Sequence, residues 1–359
     1  MIFPASYQTG LLLMILALLC MGSWASTFKA AGRWRYEFYY FDLSLGFMLC
    51  AVVAALTFGS LRSTELTFQD NLLITSYREI AYAIAAGLIF NLGNIFLLAG
   101  ISVGGLAVCV PIAFGVSLAI GSTWDFVLDP RANPLLLLGG VAFVLVALVL
   151  LSLAYLIYRS ALRESARTAL ELDPRSKEAK RRPKQAAAGV AVVFGIISGI
   201  ILCFSPRVLT AAAAGENGVA PYGSTLLFAG GLLFSAVFYG PFVINFPVGN
   251  TPASVANYFR ATPRPHLLGI LGGVLLAAGL LAISVVKVSP ASVFLGPGWI
   301  TGLEQAAPLI AMLWGVLVFK EFRAAGDKVR IFLWAGFLLY ALGVALITLA
   351  PLYGSHRGF

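Results

Sequence analysis

Residues 134–157 read PLLLLGGVAFVLVALVLLSLAYLI and hold no charged side chain. As a helix rising 1.5 Å per residue, this run crosses a hydrocarbon core of about 30 Å. It does not alternate apolar and polar residues, as a barrel strand would. It ends on Arg159–Lys184, a segment with nine basic and four acidic residues. Basic residues gather at the cytoplasmic ends of spans. The stretch therefore reads as a membrane span followed by a cytoplasmic linker.

The pattern recurs on both sides. Ten apolar runs lie near 7–27, 41–61, 78–99, 103–125, 134–157, 188–208, 224–246, 266–286, 291–318 and 331–351. Breaks such as Asp129-Pro130, Asn133-Pro134, Gly249-Asn250 and Ser289-Pro290 carry turn chemistry. Across 359 residues, 60% are hydrophobic and 11% charged. Soluble domains carry about 25% charged residues, so a soluble domain is excluded, as is a disordered or disulfide-stapled chain. The first run has no basic residue before it and continues into a basic segment, so it is expected as a retained span, not a cleaved leader.

The fold expected is all-α and polytopic. It has ten transmembrane helices as two inverted five-helix repeats, 1–158 and 188–359, joined by the basic linker 159–187. Five spans per half invert the second half. At an offset of 185 residues Gly87 falls on Gly272, Val103 on Val288 and Val108 on Val293; after a short insertion Trp124 corresponds to Trp314. Of the 24 Lys and Arg, 18 lie in loops after spans 1, 3, 5, 7 and 9, and 6 lie on the other side. This puts the linker in the cytoplasm and both termini outside, in a bacterial inner (plasma) membrane. The net charge of +9 is then a topology signal, and no nucleic-acid partner is expected. The partners expected are a small polar solute, protons and membrane lipid.

The linker region has no glycine between Gly140 and Gly189, which excludes a phosphate-cradling loop there. Cys20, Cys50, Cys109 and Cys203 sit alone in apolar runs, and His266 and His356 have no partner at metal-ligand spacing. No metal and no cofactor are expected, and no catalytic set for a membrane-embedded enzyme is present.

Polar residues inside spans are the functional candidates, because a charge at the bilayer centre costs about 2.5–3.5 kcal/mol on insertion scales. Glu304 stands out in Trp299-Ile300-Thr301-Gly302-Leu303-Glu304-Gln305-Ala306-Ala307-Pro308. Of the 15 acidic residues, it alone reads as deep in a span. Thr301, Glu304, Gln305 and Pro308 share a helical face, and Pro308 leaves the Glu304 carbonyl without its donor. Gln305 is the candidate solute ligand and Glu304 the candidate proton-coupling group, a raised carboxyl pKa in low dielectric being what lets it cycle a proton; a structural interhelix hydrogen bond is the competing role. Asn91 and Asn94, one turn apart in span 3, offer donors and an acceptor to a polar solute or serve as interhelical ties. Trp24, Thr301 and Trp299 complete the candidate solute-binding set. Trp34–Asp42 reads mainly as an aromatic belt, and Lys287 and Arg207 as span-end residues that snorkel. Gly100/Gly104, Gly195/Gly199 and Gly269/Gly273 read as close-packing points.

Several of these blocks are shared with a known group. The chain resembles the drug/metabolite transporter superfamily, in its ureide permease and sugar-porter branch. The resemblance rests on Gly22-Ser23-Trp24-Ala25, Trp34-Arg35-Tyr36-Glu37-Phe38, Phe41-Asp42 and Asn91-Leu92-Gly93-Asn94. It is most specific in Gln305-Ala306-Ala307-Pro308-Leu309 and Leu313-Trp314-Gly315-Val316-Leu317-Val318-Phe319-Lys320-Glu321-Phe322. It implies proton-coupled or facilitated movement of allantoin, uracil or a hexose, with Asn94 and Gln305 as intramembrane polar positions. Where this chain has Glu304, the group's pattern has a small residue. The site is expected among spans 1, 3, 6, 8 and 9. The alternative is an exporter of drugs or amphiphilic metabolites.

Overall fold

The computed structural model describes residues 1–61, 66–172, 189–245 and 254–354. All ten expected spans are helices long and apolar enough to cross a membrane. They are Tyr7–Ala30, Tyr36–Leu56, Tyr77–Gly104, Leu106–Leu128, Pro134–Thr168, Val190–Ala213, Pro221–Asn245, Pro263–Lys287, Pro297–Val318 and Asp327–Leu349, numbered here 1 to 10. The chain is an integral membrane protein. Residues 173–187 of the basic linker, and His356, fall outside the described residues. The helix of span 5 runs past the expected boundary at 158 to Leu172.

Local chemistry sets the helix ends. Ser6 caps span 1 by accepting the Thr9 N–H, while the Thr9 hydroxyl accepts the Ser6 N–H. Asn133 Oδ1 accepts the Leu135 N–H at 3.0 Å at the start of span 5. Proline opens spans 5, 7, 8 and 9, where its missing N–H costs nothing. Gly105 divides span 3 from span 4 and Gly296 precedes span 9, at φ +93° and +77°. Only glycine takes such angles without strain.

The packing has a regular pattern. Span 1 lies on span 8, and span 3 on span 6. Span 2 also lies on span 8, and span 3 on span 7. Spans 2 and 7 touch, as do 5 and 10. Replacing each span by the one five away in the chain returns the same set of contacts. Crossing points repeat in the same way. A Cβ on Gly46 would collide with the Ile270 carbonyl, and one on Gly273 with that of Leu43. A Cβ on Gly231 would collide with the Ile84 carbonyl, and one on Gly87 with that of Phe228. Small residues allow this backbone approach where lipid supplies no hydrophobic drive.

Two spans are interrupted. Span 9 breaks at Ala306, between Pro297–Gln305 and Ala307–Leu313, and ends in a π-helical turn, Trp314–Val318. Span 6 breaks at Cys203-Phe204, between Val190–Leu202 and Ser205–Ala213. Each break comes two or three residues before a proline, Pro308 and Pro206.

The aromatic-belt reading of Trp34–Asp42 is corrected. Tyr36, Phe38, Tyr39 and Tyr40 are buried in the protein core, and the Tyr40 hydroxyl donates to the Ala236 carbonyl at 2.7 Å. Tyr39 meets span 1 at Thr27 and span 8 at Gly272, and Phe38 packs on Trp34 and Tyr258, so these rings face protein instead of the lipid surface.

Candidate functional site

A cavity of about 270 Å³ opens between the two interrupted spans. Spans 1, 3, 4, 6, 7, 8 and 9 all line it, two more than expected, so both halves of the chain contribute. It lies toward the end of the bundle that carries the N-terminus, here the terminal end. The opposite end, where residues 172 and 189 leave the bundle, is the linker end. Ligand pockets run from about 300 to 1,000 Å³, so this volume suits a small solute.

Apolar side chains form most of the wall: Met21, Phe90, Phe114, Leu209, Phe228 and Ile283. Against them stand Glu304, Gln305, Lys287 and Ser284. Lys287 Nζ lies 2.7 Å from Glu304 Oε2. The Glu304 side chain, expected deep in a span, is 21% exposed and lines the cavity. Glu37, Asp42 and Glu79 are the deeply buried ones, at 0%, 1% and 4%. Lys287, at the end of span 8, reaches Glu304 from a neighbouring helix, a pairing that sequence position does not show. Nor does Lys287 only snorkel. Arg207 likewise turns inward, to the Cys203 carbonyl and Asp125.

Gln305 lines the cavity, and its amide makes no hydrogen bond among the described residues. It stands at the break in span 9, where irregular backbone meets a cavity. Asn94 lies one turn below the cavity-lining Phe90, toward the linker end. It is fully buried, and neither polar atom of its carboxamide has a partner among the described residues. Asn91 ties helices: its Nδ2 donates to the Leu232 carbonyl at 3.1 Å and to Ser235 at 2.8 Å. Its Oδ1 is buried and has no partner among the described residues. Trp24 is buried in the core behind the cavity, and Trp299 and Thr301 are exposed on the outer side of span 9. None of these three lines the cavity.

Below the cavity, the linker end holds a group that the sequence reading passed over. Glu321 follows the π-helical turn of span 9 and the positive-φ Lys320. Its carboxylate accepts the N–H groups of Leu106 and Ala107, each at 2.9 Å, at the N-terminus of span 4. Lys29 Nζ, at the end of span 1, meets the same carboxylate at 2.9 Å. Helix N-termini hold anions through unpaired N–H groups and the helix dipole. A Cβ on Gly105 would lie 2.7 Å from a carboxylate oxygen, so this glycine is needed for its space as well as its φ. The signal in sequence was the Lys320-Glu321-Phe322 ending of the last shared block.

An apolar cavity between two broken helices fits a permease. Residues 39–193 match the ureide permease family. The chain is similar to ureide permeases along nearly its whole length. Ureide permease 2 of Arabidopsis thaliana is 25% identical over 93% of this chain and 95% of its own. Probable ureide permease A3 of Vigna unguiculata is 25% identical over 89% and 96%. Ureide permease 1 of Arabidopsis thaliana reaches 32% over 37% and 35%. A solved crystal structure covers 95% of this chain and 99% of its own at 16% identity and a TM-score of 0.51, a likeness of fold alone.

Proposed function

We propose that this protein is a membrane permease, not an enzyme, that carries a small ureide or related polar solute by alternating access. The observation that carries the reading is the cavity itself. It sets one carboxylate, one ammonium and one unpartnered amide against apolar walls between two interrupted helices. The similarity to ureide permeases along nearly the whole chain supports the solute class.

A ureide presents N–H donors beside C=O acceptors. The Glu304 carboxylate suits the donors, while the Lys287 ammonium and the Gln305 amide suit the acceptors. Solute arrival would exchange the Lys287–Glu304 pair for solute contacts. Protonation of Glu304 would break the same pair, which is how a proton gradient would couple to uptake. The reciprocal helix contacts support two inverted five-span halves that rock about this site. Movement would open the Lys29–Glu321 closure and bring Asn94 into contact with the solute. The basic linker supports a cytoplasmic linker end. The predominantly apolar wall favours a second reading, export of an amphiphilic metabolite.

Uptake into proteoliposomes of ureides, nucleobases and sugars, with and without a pH gradient, tests this. Ureide uptake enhanced by an inward proton gradient is expected. No flux of any solute would sink the permease reading, and flux indifferent to pH would sink the coupling.

A further inference from the structure

At the linker end, away from the cavity, a buried carboxylate is gripped by three elements. Asp42, in the second turn of span 2, is 1% exposed. Its Oδ2 accepts the Trp34 Nε1–H at 3.1 Å. Its Oδ1 faces the Tyr258 hydroxyl at 2.6 Å and His266 Nδ1 at 2.9 Å. The other ring nitrogen, Nε2, faces the Tyr258 carbonyl at 3.1 Å. Trp34 and Tyr258 stand edge-on to the imidazole, with centroids 4.9 and 4.6 Å away. They hold the ring in this orientation.

The hydrogen bonds fix a proton count. A carbonyl only accepts, so Nε2 must carry a hydrogen. An ionised carboxylate also only accepts. Either Nδ1 carries a second hydrogen or Asp42 is itself protonated. In both cases the cluster holds one proton more than a neutral imidazole beside a carboxylate. Burial and the Asp42 carboxylate push the Tyr258 phenol well above its ordinary range, so its O–H stays on and donates.

The titratable groups facing Asp42 are His266 of span 8, Tyr258 of the short helix Ala256–Phe259 and Tyr39 of span 2. The Tyr39 hydroxyl is engaged with Thr27 and the Trp24 carbonyl. Arg35, just before the start of span 2, pairs with Glu37 at 2.8 Å.

We propose that Asp42, His266 and Tyr258 form a proton-binding site at the linker end, whose occupancy holds the backbone of residues 254–262 to the His266 ring of span 8. Loss of the proton leaves one imidazole hydrogen for two acceptors, so one contact must break. The bond to the carboxylate is charge-assisted and survives. The Tyr258 carbonyl is released from His266, which loosens the segment that enters span 8 and leaves it held through the Tyr258 hydroxyl on Asp42. Because Asp42 and His266 lie on opposite halves of the chain, the site senses protons from the linker side and braces the two halves. It does not depend on the identity of the transported solute.

The test uses the full chain in lipid nanodiscs. Its only other histidine is His356, so His356→Gln leaves a single ring to observe. Ring nitrogen NMR is recorded between about pH 5 and pH 9, the range in which histidines change charge. Amide exchange of residues 254–262 is followed in parallel and corrected for intrinsic exchange. The expected result is a pH-dependent loss of the Nε2 proton, with faster exchange of the segment over the same interval. His266→Gln, whose amide does not titrate, should make the exchange independent of pH. Tyr258→Phe, which keeps the carbonyl, should retain the dependence. Ring signals or segment exchange that stay constant with pH would overturn the proposal. So would a pH dependence that persists in His266→Gln.

Discussion

Lys29 Nζ meets the Glu321 carboxylate at 2.9 Å, and the same carboxylate caps the first two N–H groups of span 4. This one side chain joins spans 1, 4 and 9 at the linker end. Cys109 lies beside it, fully buried: a Cβ on Gly104 would stand 2.8 Å from its sulfur. Glu321→Gln keeps the shape but removes the charge that holds Lys29. The Cys109 thiol should then be alkylated at least about tenfold faster, the effect of losing roughly 1.4 kcal/mol from the closed state. Thiol-labelling rates by mass spectrometry read this directly.

The Lys287–Glu304 pair is partly exposed, so its contribution to folding is of the order of 0–1 kcal/mol. Glu304→Gln and Lys287→Met should therefore leave the melting temperature close to wild type. Both should lower solute uptake by more than about tenfold if the pair exchanges with the solute, a loss of roughly 1.4 kcal/mol. Thermal unfolding and uptake measured on the same preparations separate the two effects.

Asn94 makes the opposite trade. A buried carboxamide with no partner costs about 1–3 kcal/mol. Asn94→Leu, similar in size and apolar, should raise stability while abolishing transport. A variant that is both less stable and active would place Asn94 among structural residues.

Two adjacent glycines offer a packing test within span 7. A Cβ on Gly231 would strike the Ile84 carbonyl, whereas one on Gly230 meets nothing within 4 Å. Gly231→Ala should destabilise by about 1–3 kcal/mol, as overpacking does. Gly230→Ala should be neutral or stabilising, since alanine favours a helix over glycine by about 1 kcal/mol. Unfolding in mild detergent, followed by intrinsic fluorescence, compares them.

The ten spans were legible because length, apolarity and proline-marked turns are local properties. The break in span 9 was legible for the same reason, from Pro308. The equivalent signal at Pro206 in span 6 lay in plain view beside an unbroken apolar run. The rest of the site was not legible, because it depends on which helices meet. Glu304 reads as an unpaired acid until Lys287 arrives from span 8. Glu321 reads as a loop residue until it closes on Lys29 and the start of span 4. The aromatic stretch Trp34–Asp42 resembles a belt because lipid and protein core are equally apolar. Composition therefore does not tell a ring facing lipid from a ring facing a helix. Asp42 gave no hint of His266, more than two hundred residues away in the chain.

The central claim is that the cavity at Gln305 and Glu304 carries a ureide. Uptake of radiolabelled allantoin into proteoliposomes, wild type beside Gln305→Leu, tests it most directly. Gln305→Leu keeps the side chain's bulk and removes its amide. Saturable uptake by the wild type, lost in the variant at an unchanged melting temperature, is the predicted result. Equal uptake by both proteins would contradict the account.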